Sequence, residues 1–276
     1  MQLLLIRHAE SVDNAKKLWA GVTDSALTNH GMAQVQRLAE HIASDEVCKA
    51  SHITHIFSSD LQRARITAEG ICAALSSTSG EGVLKPTLAR ALRERDFGSM
   101  EGVRSMKDDG QNHPESGIDE DLSQKWKSCE SEISMRSRAE TFFNEHLRAI
   151  LDLESDHHDD NQVVIIVAHG IILRVFWYYL SGLFLPENIV FDIHDYPIWS
   201  EDTFRPSWSN TGFLNLCIVP SGSEPEGLPQ FLLRGWHMKV QASNYIDHLN
   251  GLRRTRGGIG SAAHDKKQKQ IKDFFR

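Results

Sequence analysis

The chain has 276 residues, of which 40% are hydrophobic and 24% are charged, and its formal net charge is −7. This composition is typical of a folded protein with a sizeable core, and the acidic balance argues against a protein that binds nucleic acid with its whole surface. The four cysteines are scattered without CxxC spacing. The sequence therefore predicts neither a disulfide framework nor a zinc site, and it favours a reducing compartment, the cytoplasm or nucleus.

The first part of the chain alternates between apolar runs and helical spacings. An unbroken apolar run predicts a strand over 2–6, and apolar residues at helical spacing predict a helix over 31–43. A strand is predicted over 52–57, followed by a helix over 58–75 that is entered through a Ser/Asp cap. A weaker strand is predicted over 83–88.

The rest of the chain continues this alternation. Its predicted elements are, in chain order, a long loop or lid over 103–121, a helix over 122–153, a strand over 163–167, a helix over 171–180 and strands over 213–219 and 230–240. Residues 185–211 contain aromatic residues and prolines, fit no element, and are interpreted as an insertion. The whole pattern predicts an α/β fold, a three-layer α/β/α sandwich with a mostly parallel sheet.

One stretch is long and apolar enough to resemble a membrane span. Residues 163–185 read VVIIVAHGIILRVFWYYLSGLFL, but His169, Gly170 and Arg174 interrupt the run. We interpret the stretch as a buried strand, a glycine turn and a buried helix. No membrane partner is expected.

Two of the buried strands end in a histidine. LLLIRH ends in Arg7 and His8, and VVIIVAHG ends in His169. Because ligands bind where the carboxyl ends of parallel strands meet, these side chains are expected to face one pocket, although a single strand-end histidine is more often structural. Arg63 lies just inside the helix after the strand at 52–57, where a helix N-terminus suits an anion. Two arginines and two histidines together predict a phosphate site.

Five motifs follow one another along residues 7–174. They are RHAESVDN, GVTDSALTNHG, SSDLQRARITA, LRERDFGSMEG and VAHGIILR. In this order they resemble the histidine phosphatase superfamily, whose fold is called phosphoglycerate mutase-like. The resemblance implies a histidine phosphatase domain over residues 1–252, with insertions at about 103–121 and 185–211.

The resemblance also implies a role for each motif residue. His8 is expected to be the nucleophile that accepts the phosphoryl group, and Glu94 to protonate the leaving oxygen and later activate water. The residues expected to hold the phosphoryl oxygens are Arg7, Arg63 and His169, with Asn14, Thr23 and Gly170 as further substrate contacts. A nucleophilic histidine must be neutral, and neighbouring positive charge disfavours its protonation. Fixed donors can stabilise phosphoryl transfer without a metal, so no cofactor is expected.

Two positions depart from the family pattern. Ala9 stands where glycine is usual and adds a methyl group beside the predicted nucleophile, and Met100 stands where tryptophan is common. Neither carries a proton or a charge in the implied mechanism, so activity is expected to survive. The adjacent His157 and His158 match no metal-ligand spacing, and no metal site is predicted.

The stretch after LRERDFGSMEG, the motif that contains Glu94, distinguishes branches of the family. Mutases resembling phosphoglycerate mutase are basic there, whereas VRSMKDDGQNHPESGIDEDL is mostly acidic, which favours a hydrolase. The motifs are also similar to the fructose-2,6-bisphosphatase-like and broad phosphatase branch, which makes a sugar phosphate or bisphosphate a candidate substrate. The candidate contacts for a second phosphate, if they are not simply surface charges, are Lys16, Lys17, Arg90, Arg93 and Arg95. A mutase remains the alternative.

The end of the chain differs from the rest in charge. The last 25 residues contain eight Lys or Arg and two Asp, a net +6 that leaves −13 on the body. Residues 253–276 are therefore predicted to be a disordered basic tail with a separate role.

This tail ends in QKQIKDFFR. The residues that fit the pattern Q-x-x-[ILM]-x-x-[FY]-[FY] are Gln268, Ile271, Phe274 and Phe275. The pattern resembles the PIP box, the peptide that binds the DNA sliding clamp PCNA, and its spacing suits a 3₁₀ turn with an apolar side. Two alternatives stay open, an amphipathic turn that folds back on the domain and a clamp-associated protein with a catalytically weak pocket. No sequence-specific contact with nucleic acid is expected.

Overall fold

A sheet of seven strands forms the centre of the part of the chain that the structure describes, in the order β3-β2-β4-β1-β6-β7-β5. The structure is a computed structural model, and it describes residues 1–79, 85–104, 127–151, 161–193, 204–220, 233, 235–256 and 258–265. The strands are β1 Gln2–Arg7, β2 Ile53–Ser58, β3 Thr87–Leu88, β4 Val163–Ala168, β5 Ile189–Phe191, β6 Phe213–Pro220 and β7 Trp236–Tyr245.

Helices cover both faces of this sheet. They are α1 Val12–Lys16, α2 Asn29–Ala43, α3 Gln62–Ser79, α4 Glu132–Phe142, α5 Arg148–Leu151 and α6 Gly170–Ser181, and a π-helical segment, Phe143–Leu147, joins α4 to α5. Four strand pairs are parallel, and β6 is antiparallel to both β1 and β7. The predicted mostly parallel α/β/α sandwich is confirmed.

Alternating side chains of β1 enter two separate cores. Leu4 packs with α2 and α3 on one face of the sheet, and Leu3 packs with α4 and α6 on the other. Each residue of β4 is also fully or almost fully buried. A strand covered on both faces has an unbroken apolar sequence, which explains why these two strands are the easiest to recognise in the sequence.

The helix predicted over 122–153 differs from the structure at its start. Residues 127–131 are not helical, and α4 begins at Glu132, where the Ser131 side chain accepts a hydrogen bond from Ser134 N at 3.2 Å. The preceding residues are extended because they pair with the loop that carries Glu94, through Glu130 N and Asp96 O at 2.7 Å. An apolar periodicity alone does not mark this boundary.

Three other predicted boundaries are corrected. The helix after β2 begins at Gln62 rather than 58. Its N-terminus is capped by Asp24 from another loop, whose Oδ1 accepts from Gln62 N at 2.7 Å. The strand predicted over 230–240 is Trp236–Tyr245, because its antiparallel partner β6 determines its register. Part of the presumed insertion at 185–211 forms β5, which pairs in parallel with β7 at the edge of the sheet.

The structure also differs from the predicted disordered tail over residues 253–265. Arg254 forms an ion pair with Glu10. Asn29 N donates to Ala262 O at 3.0 Å, and His264 N donates to Leu27 O at 2.9 Å. These contacts hold the segment against the start of α2. No helix in the described ranges is long and apolar enough to cross a membrane.

Candidate active site

The register of the sheet brings the two predicted histidines together. Strands β1 and β4 are parallel, with Arg7 opposite Ala168, so His8 and His169 are the next residues along neighbouring strands. Their ring centroids are 4.9 Å apart, at an interplanar angle of 60°. His8 is 3% exposed and His169 is fully buried. The geometry therefore brings the two side chains together, and of the two only His8 lines the cavity described below.

The backbone beside His8 fixes the orientation of its ring. His8 Nδ1 lies 2.6 Å from the carbonyl oxygen of Ala9, which can only accept a hydrogen bond, so Nδ1 carries the proton and Nε2 keeps its lone pair. Burial lowers the pKa of His8 well below its ordinary value, and the charges of Arg63 and Arg7 lower it further. His8 is therefore a neutral imidazole at neutral pH, the state that a nucleophile requires.

The guanidinium groups beside the histidines are only partly bonded to protein. Arg7 Nη1 donates to Trp208 O at 2.7 Å, and Arg63 donates to Gly21 O and Thr23 O at 2.7 and 2.8 Å. Within the described residues, Nε of both arginines and Nδ1 of His169 are buried without a hydrogen-bond partner. Buried donors without a partner are costly in a folded protein, so the two arginine Nε atoms are donors that an anion in this site can use.

Gly21, whose carbonyl accepts a hydrogen bond from Arg63, has a backbone conformation that requires glycine. Its φ of +52° lies in the left-handed region, and an added Cβ would lie 2.1 Å from Glu101 Oε1. The Glu101 carboxylate in turn accepts from Val22 N at 2.8 Å. The loop that holds Arg63 thus depends on a residue without a side chain.

Glu94 lies at the start of α6, next to the histidines. Its carboxylate accepts from Ile171 N and Ile172 N, each at 3.2 Å, and from Arg95 N at 2.9 Å. Ile171 and Ile172 lie in the first turn of α6, where N–H groups have no partner within the helix, so these bonds fix the position of the Glu94 carboxyl. Glu94, His8, Arg7 and Arg63 all line one cavity of about 450 Å³.

The three predicted substrate contacts have different positions. Asn14 and Gly170 line the cavity, whereas Thr23 is exposed and its hydroxyl donates to Glu101. Only the Thr23 carbonyl reaches the site, as an acceptor for Arg63. A direct contact between the Thr23 side chain and substrate stays a prediction, and the structure gives the residue a supporting position.

Sequence reasoning did not assign a role to several residues in and around the cavity. Ser59 Oγ lies 2.9 Å from His169 Nε2, which fixes that ring. Asn210 Nδ2 donates to His8 O at 3.1 Å and to Asn14 Oδ1 at 3.0 Å, and Trp208 Nε1 donates to Leu5 O at 2.9 Å. Trp208 and Asn210 come from the segment interpreted as an insertion, and no local signal in the sequence connects them with the strand ends.

Two of the five residues considered as contacts for a second phosphate are bonded to other parts of the protein. Arg93 forms a bidentate pair with Asp60, and Arg95 Nε donates to Glu130 O at 2.8 Å. Of that set, only Lys17 lines the cavity. The methyl group of Ala9 packs in the small apolar cluster of α2 and does not line the cavity, so the departure from glycine leaves the pocket wall unchanged.

Several predicted features lie wholly or partly outside the described residues. These are the loop or lid over 103–121 from residue 105 onward, the first residues of the helix predicted over 122–153, the histidine pair His157 and His158, and the tail residues Gln268, Ile271, Phe274 and Phe275. In the ranges that the structure does describe, no three His, Cys, Asp or Glu side chains come together as a group that could hold a metal ion.

The fold and this cavity agree with a comparison of the chain with protein families. The model of the histidine phosphatase superfamily (branch 1) matches residues 3–200, and the chain belongs to this superfamily. The matched range includes every residue predicted to act in catalysis.

Similar proteins include enzymes that are named for phosphate chemistry. A probable phosphatase of Schizosaccharomyces pombe is 27% identical over 98% of this chain and 78% of its own length. Phosphoglycerate mutase-like protein 4 of Arabidopsis thaliana is 28% identical over 63% of this chain and 68% of its own length.

Solved structures show the same fold at lower identity. A mycobacterial glucosyl-3-phosphoglycerate phosphatase, in complex with VO3, superposes with a TM-score of 0.55 at 18% identity, covering 88% of this chain and 98% of that chain. A structure named mycobacterial hydrolase 1 gives a TM-score of 0.59 at 20% identity, with the same coverage of both chains.

Proposed function

We propose that the protein is a phosphatase that hydrolyses a phosphomonoester through a phosphohistidine at His8. The observation that carries this proposal is the state of His8. Its Nδ1 proton is held by a backbone carbonyl, its Nε2 keeps a lone pair, and its imidazole is neutral beside two arginines. The Nε donors of Arg7 and Arg63, which have no protein partner among the described residues, can bind the phosphoryl oxygens.

The first step forms a phosphoryl-enzyme. His8 Nε2 attacks phosphorus, a P–N bond forms, and the bond between phosphorus and the alcohol oxygen breaks. Glu94, on the wall of the same cavity, gives its proton to that oxygen, so the product leaves as a neutral alcohol. Arg7 and Arg63 bind the phosphoryl oxygens, whose charge develops in the transition state.

The second step releases phosphate. The Glu94 carboxylate takes a proton from water, the water oxygen attacks phosphorus, and the P–N bond breaks. His8 returns to its neutral form, and inorganic phosphate leaves. Glu94 is thus restored to its protonated form for the next cycle.

Product analysis tests this proposal against a mutase. The purified protein is incubated with phosphate monoesters in EDTA, and with a phosphoglycerate plus its bisphosphate. We expect release of inorganic phosphate in EDTA and no isomerisation of the phosphoglycerate. Isomerisation stimulated by the bisphosphate would support the mutase alternative, and no reaction with any ester would favour a protein without catalytic activity.

The substrate that we propose is a sugar phosphate or bisphosphate whose leaving alcohol carries a second anionic group. Arg174 is an exposed cation on the cavity wall, and within the described residues it makes no hydrogen bond or ion pair. Trp19 and Phe97 also line the cavity, with ring centroids 4.5 Å apart. A free guanidinium suits an anion, and aromatic faces suit a sugar ring.

Replacing Arg174 with alanine tests this choice of substrate. Because a charge-assisted hydrogen bond is lost, we expect KM for a sugar bisphosphate to rise about 10-fold. KM for p-nitrophenyl phosphate, which has no second anion, should stay the same. Steady-state kinetics with both esters measure the contrast, and Arg174→Lys is the matched control that keeps the charge. Equal KM values for the bisphosphate in Arg174→Ala and wild type would exclude this role for Arg174.

We also propose that the tail binds the DNA sliding clamp, which would place the protein in the nucleus as well as the cytoplasm. The contacts of residues 258–265 with α2 support this proposal because they fix the origin of the tail at the surface of the domain. Ala262 and Ala263 are exposed, and the bridge between Ala263 and Thr28 holds the segment. The motif begins only three residues after Asp265.

Titration of the full chain with purified clamp tests this binding. We expect saturable binding in the wild type and a loss of at least about 10-fold in affinity for Phe274→Ala, because a buried aromatic anchor contributes several kcal/mol. Lys272→Ala is the control, since position 272 is not one of the motif positions. No binding at about 100 μM clamp, or equal binding by Phe274→Ala, would remove the proposal.

A further inference from the structure

A partly buried guanidinium on α4, that of Arg138, binds the backbone that carries the proposed acid, Glu94. Arg138 Nη1 donates to Ala91 O at 2.7 Å and to Arg93 O at 2.9 Å, and Arg138 Nη2 lies 3.5 Å from Glu94 O. One side chain therefore contacts three carbonyl groups within four consecutive residues. The Arg138 side chain is 24% exposed and does not line the cavity that contains His8.

Glu130 fixes the position of this guanidinium. Its two carboxylate oxygens accept from Arg138 Nε at 2.8 Å and from Arg138 Nη2 at 2.7 Å. Burial raises the pKa of Glu130, but hydrogen bonds from Arg138 and Ser134 outweigh this effect and lower the pKa below its ordinary value. Glu130 also binds the far side of the loop, accepting from Asp96 N at 3.3 Å and, through its carbonyl, from Arg95 Nε at 2.8 Å.

The loop that carries Glu94 lies between two cavities. A second cavity, of about 620 Å³, lies on this side of Glu94 and is lined by Arg138 and Glu130. Glu94 thus has the catalytic cavity on one side and this second cavity on the other. Arg138 thus binds the backbone of this loop from α4, while Ile171 N and Ile172 N bind the Glu94 carboxyl from α6.

We infer that Arg138 and Glu130 are positioning residues that hold Glu94 where it can protonate the leaving alcohol. This inference rests on the proposed function and adds that the action of Glu94 depends on two residues outside the cavity. Loss of the pair should move the Glu94 carboxyl without changing His8, Arg7 or Arg63. Reactions that need a proton on the leaving group should therefore slow more than reactions that do not.

The test compares two leaving groups in Arg138→Lys and Glu130→Gln. An alkyl phosphate leaves as a strongly basic alkoxide and needs the acid, whereas p-nitrophenyl phosphate leaves as a stable phenolate. The parameter is kcat/KM, which includes only the steps up to release of the alcohol. We expect kcat/KM for the alkyl phosphate to fall about 10²-fold and kcat/KM for p-nitrophenyl phosphate to fall less than about 3-fold.

A double-mutant cycle separates positioning of Glu94 from a general effect. In a Glu94→Gln background, Arg138→Lys should cost almost nothing more on the alkyl phosphate, because the group that it positions is already lost. Arg136→Ala is the control variant, since Arg136 is an exposed arginine on the same helix. It should match the wild type on both esters.

The outcomes are distinct. A partly unfolded variant would lose the same fraction of activity on both esters, and this result would overturn the inference, as would a full loss from Arg138→Lys in the Glu94→Gln background. A selective loss on the alkyl phosphate that disappears in that background would support it. If the wild type turns over neither ester, the proposed function fails, and the inference fails with it.

Discussion

Replacing His8 with alanine is expected to reduce kcat for every phosphate ester by on the order of 10⁵-fold or more, which is the scale of loss when a covalent enzyme loses its nucleophile. The physical reason is that Nε2 of His8 is the neutral nucleophile beside the proposed phosphate position, and alanine offers no atom that can form the P–N bond. Phosphate release from p-nitrophenyl phosphate in EDTA measures the effect.

The control for this prediction is His52→Ala. His52 lies before β2, at the amino ends of the parallel strands, whereas the cavity lies at their carboxyl ends. The His52 variant should have wild-type kinetics. If His8→Ala kept more than about a tenth of the wild-type rate, water rather than His8 would be the first nucleophile, and the mechanism above would be wrong.

Replacing Arg63 with methionine is expected to lower kcat/KM by about 10²–10³-fold at neutral pH, the cost of removing one preorganised donor from a transition state. Arg63 is 1% exposed, and its charge also contributes to the low pKa of His8. Without that charge the pKa of His8 rises towards its ordinary value. His8 in the variant therefore stays protonated up to a higher pH than in the wild type, and the protonated form cannot attack phosphorus.

The pH dependence of this loss has a definite sign. Burial, the largest cause of the low pKa of His8, remains in the variant, so the ratio of wild-type to Arg63→Met kcat/KM should grow only as the pH falls below the ordinary pKa of histidine, and it should level off at higher pH. Titration of the substrate affects both proteins equally and cancels in the ratio. Arg63→Lys keeps the charge but not the forked donors, so it should lose rate with little change in pH profile. A ratio for Arg63→Met that is constant with pH would contradict the proposed effect of Arg63 on His8.

The sheet and the core of the site could be predicted because they depend on local patterns. The strands β1 and β4 are buried on both faces, so their apolar runs are unbroken. The parallel order of such strands then places His8 beside His169, as the register shows. Arg63 follows from the same reasoning, since it lies in the first turn of the helix after β2.

Other parts of the site depend on contacts between distant segments. Asn210 and Trp208 come from a stretch without clear periodicity, and they reach β1 only because β6 returns antiparallel to it. Arg138 lies on a helix whose predicted start was too early, because Glu130 pairs with the Glu94 loop instead of extending the helix. A charged side chain on a helix resembles a surface residue in the sequence, and only its partners in space show that it holds a backbone.

The central claim is that phosphate passes through a covalent bond to Nε2 of His8, and trapping this bond tests it most directly. The wild type is mixed with a ³²P-labelled ester, quenched in alkali, in which phosphohistidine survives, and digested for peptide mapping. We expect label on the peptide that carries His8, and this label should form before phosphate is released, disappear on a chase with unlabelled ester, and be absent from His8→Ala. Turnover without labelled protein, or label on another residue, would contradict it.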